Sequence, residues 1–176
     1  MKALDSKHVM CAAMFTLALA APALSQTPLP PVAEPMRLSG PRFGVTVLSD
    51  SIVRRLKDDA SLKVASVVSQ FGWQFEKQWV TGEGGPSPVT EWVLLFGGLD
   101  QGVVLPSLSW LVGMRTTGGT EFGVGPNVSP LGVGLVIAAG MTMRAGALNI
   151  PFNVAVVPAT SGTRVSVLTG FNRRKQ

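Results

Sequence analysis

Apolar and polar residues alternate along most of the chain between residues 42 and 171. Because successive side chains of a strand point to opposite faces, a period of two predicts β-structure. Short segments rich in Gly, Pro, Ser and Thr separate eight predicted strands, over residues 42–48, 64–79, 89–97, 103–115, 120–126, 131–144, 148–157 and 163–171. Short connections favour antiparallel hairpins, so the predicted fold class is all-β, an up-and-down meander closing into a roughly eight-stranded barrel.

One segment, residues 50–59, departs from this alternation. Ile52, Val53 and Leu56 fall on one helical face, and Ser49 or Asp50 offers a capping side chain. The pattern predicts one short amphipathic helix after the first strand. Such a helix either closes one end of the barrel or lies on a membrane surface.

The two faces of the predicted strands differ in chemistry. With the exception of Lys77, charged residues that share a strand with an aromatic residue lie an odd number of positions from it, hence on the opposite face. Gly, Ala and Ser accompany the charges. The large apolar face carries the aromatic residues Phe71, Trp73, Phe75, Trp92, Phe96, Trp110, Phe122, Phe152 and Phe171.

This segregation alone does not say which face points inward. Aromatic residues fill the core of a soluble barrel or sandwich, whereas they face lipid in a membrane barrel. Residues 80–163 carry only six charges, while about a quarter of residues in ordinary domains are charged. The small residues of the polar face also suit a narrow barrel interior. The short predicted loops and the lack of Tyr favour the soluble alternative.

A polar face that points inward would bring six charged residues into the lumen. Unpaired charges are very costly at low dielectric, so we expect acids and bases to pair there. The resulting network is either a salt-bridged plug that holds the strands in register or a proton or ion path. Its predicted members are Glu76, Glu91, Arg115, Glu121, Arg144 and Arg164.

The N-terminal segment has the pattern of an export signal. Residues 1–25 combine Lys2 and Lys7 with an apolar run and with small residues before an expected cleavage at Gln26. Residues 26–41 contain five prolines and are predicted to form a linker. We expect a barrel domain over residues 42–171 and a basic tail over residues 172–176.

Composition limits the chemistry open to the exported domain. The single Cys and the single His are Cys11 and His8, both inside the predicted signal, so we expect no metal site, no cofactor and no catalytic site. The basic tail is either solvated or in contact with anionic lipid headgroups. A basic face interleaved with aromatic residues is lacking, so nucleic acid is not an expected partner. Membrane lipid is an expected partner, and any protein partner stays open.

The last predicted strand adds a further pattern. Val165, Val167, Thr169 and Phe171 share one face, and the strand ends on an aromatic residue. The chain resembles the small eight-stranded outer-membrane β-barrel proteins in three features: its export signal, its alternating segments and this last strand. The resemblance implies an outer-membrane protein of a Gram-negative cell with a structural or adhesive, non-catalytic role. The alternative is a soluble periplasmic or extracellular barrel or sandwich that binds a lipid-like apolar ligand.

Overall fold

Residues 38–79, 85–160 and 162–173 are described by the computed structural model. The predicted export signal, most of the predicted linker and the last three residues of the tail lie outside these ranges. The helix α1 spans Asp50–Ala60, and a single 3-10 turn spans Leu99–Gln101. The strands are β1 Gly40–Leu48, β2 Val67–Gln78, β3 Ser87–Gly97, β4 Leu105–Arg115, β5 Thr120–Ser129, β6 Gly132–Ala145, β7 Leu148–Ala159, β8 Gly162–Gly170 and β9 Asn172–Arg173.

The strands β1 to β8 form a closed antiparallel barrel. Each strand pairs with the next along the chain, and β1 also pairs with β8. The prediction of an all-β meander that closes on eight strands, with one helix after the first strand, is therefore confirmed. Closure gives each of these eight strands a paired neighbour on both sides. The two-residue β9 pairs with the start of β7, outside the barrel order.

Strand residues occur on both sides of the predicted barrel domain of residues 42–171. Gly40 and Pro41, predicted to belong to the linker, continue the β1–β2 ladder opposite Gln74 and Trp73. A proline is tolerated there because it stands at the start of a strand. Asn172 and Arg173, predicted to be part of the tail, form β9.

The helix α1 closes one end of the barrel. Its Ile52 and Leu56 are buried and pack in a cluster with Leu48, Val64, Val68 and Leu105. Ser49 occupies the N-cap position, but its hydroxyl bonds to Ser51 instead of a backbone N–H. Within the described residues, none of the helices is long and apolar enough to cross a bilayer.

The strand alternation places the apolar residues on the outside of the barrel. Trp73 is 45% exposed, Phe75 56% and Val112 50%, whereas Arg115 on the same strand as Val112 is 1% exposed. The interior holds polar side chains together with a cluster of Val and Leu side chains. This distribution is the reverse of that in a soluble barrel, where the apolar face fills the core.

Glycines on the inward face keep the barrel narrow. A Cβ atom on Gly72 would clash with the Leu94 carbonyl oxygen, and a Cβ atom on Gly113 would clash with the Phe122 carbonyl oxygen. Neighbouring backbones approach at these points because glycine has no side chain. At Gly72 and Gly113 the close approach of the neighbouring strand therefore requires glycine.

Candidate functional site: the polar interior of the barrel

Arg115 is the centre of a buried ion-pair cluster. Its Nη1 donates to Glu76 Oε1 at 2.6 Å, and its Nη2 contacts the second Glu76 oxygen. On the other side, Nε and Nη2 lie 2.9 and 2.5 Å from Glu121 Oε2. The pairing with Glu76 is bidentate, a strong form of arginine–carboxylate pairing, whereas Glu121 accepts through one oxygen. The cluster joins β2, β4 and β5.

A third carboxylate, that of Glu91, completes the cluster from β3. Its Oε1 lies 3.6 Å from Arg115 Nη2. Oxygens of Glu76, Glu91 and Glu121 lie within 4.8 Å of one another, which is a spacing compatible with a bound cation. The Arg115 guanidinium contacts all three carboxylates and supplies that positive charge itself. Asn153 on β7 donates through Nδ2 to Glu121.

Arg42 extends the cluster to β1. Its Nε donates to Gln74 Oε1 at 2.9 Å, and its Nη2 donates to the Leu38 carbonyl oxygen at 2.6 Å. Gln74 in turn donates to Glu76 Oε2 at 3.4 Å. The sequence prediction omitted Arg42. The odd spacing between charged and aromatic residues, which assigns the other charges to the interior, would have included Arg42 as well, because it lies one position from Phe43.

Arg164 lies in a second polar group, formed with the part of β5 near the α1 end. Its Nη1 donates to Ser129 Oγ and its Nη2 to Asn127 Oδ1, each at 2.7 Å. Asn127 Nδ2 donates to Ser107 Oγ at 2.7 Å and to Ser109 Oγ at 2.8 Å. Arg164 is thus in the lumen, as the sequence indicates, but its partners are neutral side chains.

Arg144 does not belong to the lumen network, which corrects the prediction. It has inward parity on β6, but its side chain is exposed. The reason is its position: Arg144 is the penultimate residue of β6, next to the β6–β7 turn, where inward parity no longer leads into the barrel. Among the described residues, the three interior bases are therefore Arg42, Arg115 and Arg164.

A cavity of about 60 Å³ lies between the two polar groups. Polar groups of both clusters line it, including Glu91 and Arg164, together with apolar side chains such as Leu111 and Val136. Pockets for lipid-like or drug-sized ligands measure about 300–1,000 Å³. A cavity of this size holds water or a small ion.

The nine predicted aromatic residues all point outward. Eight are between 41% and 56% exposed, and Phe96 is partly exposed. The rings of Trp92 and Trp110 stack on neighbouring strands with centroids 5.8 Å apart. Lys77, the exception to the segregation, also points outward, and its Nζ lies 4.1 Å from the centre of the Trp79 ring. It is the only outward-facing charge on the described parts of β1 to β8.

No family model, curated protein or solved structure matches the chain. The barrel itself presents an apolar exterior, a partly polar interior and a helix across one end.

Proposed function

We propose that this chain is an exported protein that spans the outer membrane of a Gram-negative cell as a closed β-barrel, with a structural or adhesive, non-catalytic role. The single observation that carries this proposal is the exposure of the apolar face. Large apolar side chains, including three tryptophans at 41–48% exposure, cover the outside. A protein with such a surface would aggregate in water, whereas the hydrocarbon of a bilayer solvates the surface.

The length of the strands supports the same conclusion. A strand that crosses a bilayer at the usual tilt needs about 9–11 residues. The barrel strands contain between 9 and 14 residues. Closure matters equally, because hydrocarbon offers no hydrogen-bond partner to an open sheet edge.

The filled interior supports a structural role over transport. The Arg115 cluster fixes strands on opposite sides of the lumen to one another, and α1 covers the end of the barrel beyond Arg164. Eight strands enclose only enough space for side chains. The soluble alternative requires an apolar interior for a lipid-like ligand, and the mixed polar interior with its small cavity argues against that requirement.

Membrane fractionation tests this proposal. The full chain is expressed in a Gram-negative host, and the membranes are washed with alkaline carbonate and with urea. We expect the protein to stay in the pellet and to be extracted, folded, by mild detergent. Extraction by detergent distinguishes membrane insertion from aggregation, and recovery in the soluble fraction would contradict the proposal.

A further inference from the structure

We propose that Arg164 and the hydroxyl groups around it form a binding site for a small monovalent inorganic anion of about chloride size. The site goes beyond the membrane role, since it depends only on the barrel interior.

The positive charge of Arg164 is buried without an anionic partner. Its relative exposure is 8%, and both of its described hydrogen bonds go to neutral oxygens, those of Ser129 and Asn127. The salt bridges in the described part of the chain involve Arg55 and Arg115. A buried charge is strongly unfavourable unless it is paired, so an anion next to this guanidinium would remove a large cost.

The side chains near Arg164 present hydrogen-bond donors to the same cavity. Ser107 and Ser109 both accept from Asn127 Nδ2, which leaves their own O–H protons free to donate. No acceptor for these two protons occurs among the described residues. The hydroxyls of Thr46 and Ser166 lie 2.6 Å apart, so one donates to the other and a further proton remains. A cation surrounded by O–H donors recognises an anion.

The size and the remaining lining of the cavity define the ligand. The cavity of about 60 Å³ is large enough for a chloride-sized ion with water beside it, since a cavity of about 10–15 Å³ already holds one water. The buried amide oxygens of Gln70 and Asn153 lack a protein donor, and such water would supply one. Among the described residues that line the cavity, Arg164 is the one basic side chain, so a monovalent anion balances its charge.

Anion-dependent stability and chloride NMR test this site in the folded protein. Urea unfolding is measured in sodium chloride and in sodium gluconate at equal ionic strength, because gluconate is too large for the cavity. We expect the unfolding midpoint to rise with chloride and to saturate, with a parallel broadening of the chloride resonance. R164Q should weaken chloride binding by about tenfold or more, the range expected for a hydrogen bond to a charged group.

Three further variants make the result decisive. R54Q removes an exposed arginine on α1 and should keep the full chloride response. E91Q makes the facing side chain neutral at every pH, so it should bind chloride at least as tightly as the parent. S109A keeps Arg164 but removes one donor, so it should weaken binding even if R164Q does not fold. Equal midpoints in chloride and gluconate, or wild-type chloride dependence in R164Q or S109A, would overturn the proposal.

Discussion

Arg115 Nη1 and Glu76 Oε1 lie 2.6 Å apart although the two residues are 39 positions apart in the chain. Arg115 is on β4 and Glu76 on β2, so the contact passes in front of β3 inside the barrel. Side chains of strands that are not neighbours therefore meet directly. The interior is narrow enough for charged side chains to connect strands that are not adjacent. These contacts link the alternating pattern of the sequence to the stability of the closed barrel.

Replacement of Arg115 by Met should strongly destabilise the barrel. The variant leaves Glu76, Glu91 and Glu121 buried without their shared cation, and breaking a buried pair on one side costs about 3–5 kcal/mol. Urea unfolding in detergent measures the change.

The matched control is Arg144→Ala. Arg144 also has inward parity, but its side chain is exposed at the rim. A surface substitution of this kind changes the free energy of unfolding by less than about 0.5 kcal/mol. Equal losses in the two variants would show that the Arg115 cluster has no special role.

The glycines of the inward face should resist even the smallest enlargement. Gly72→Ala brings a methyl group onto the Leu94 carbonyl oxygen, and overpacking of this kind costs about 1–3 kcal/mol. Gly85→Ala is the control, because a Cβ atom there would have no neighbour within 4 Å. The same unfolding experiment should separate them, and a neutral Gly72→Ala would contradict the close approach of β2 and β3.

The fold follows from the sequence because parity is a local property. The segregation of Glu91 from Trp92, one position apart, already requires that the two side chains face opposite sides of a strand. The Gly-rich and Thr-rich turns then limit the topology to a meander. The pattern did not distinguish inside from outside, because a soluble barrel and a membrane barrel have the same alternation.

The composition of the charge cluster was harder to predict. Parity assigns a face but not a height along the barrel, and Arg144 was misplaced for that reason: its strand continues to the rim. Arg42 lies inside the predicted first strand, one position from Phe43, so the alternation already assigns it to the interior although the predicted network omits it. Which acid meets which base depends on strand register, as in the pairing of Arg115 with Glu121 across β4 and β5.

The cost of introducing a charge on the outer surface should depend on how deep the residue lies in the bilayer. Ile137 lies in the middle of β6 and is 42% exposed. Ile137→Arg should cost about 2–4 kcal/mol in lipid, while Met143→Arg, on the same face near the strand end, should cost about 0–1 kcal/mol. Folding into lipid vesicles measures both. If water surrounded the barrel, both variants would be near neutral and more soluble than the parent.

Asp100 provides a prediction outside the barrel wall. The hydrogen bond from Ser69 Oγ, at 2.5 Å, lowers the pKa of the Asp100 carboxyl. The folded-state pKa of Asp100 is below its unfolded value of about 3.9. The ionised carboxylate therefore stabilises the fold above about pH 3.9, and this stabilisation is lost as the pH falls through the folded-state pKa. Ser69→Ala should raise the pKa towards its ordinary value in an NMR titration. An unchanged pKa would exclude Ser69 as its cause.

Tryptophan quenching by brominated lipids tests the central claim most directly. Trp92 and Trp110 lie at the midpoints of β3 and β4, whereas Trp79 follows the end of β2 beside Lys77. Single-tryptophan variants, with the other tryptophans replaced by Phe, are folded into vesicles with bromines at different chain depths. We predict that deep bromines quench Trp92 and Trp110 most, and that bromines near the headgroups quench Trp79 most. Weak quenching of all three, without dependence on bromine depth, would contradict a membrane-spanning barrel.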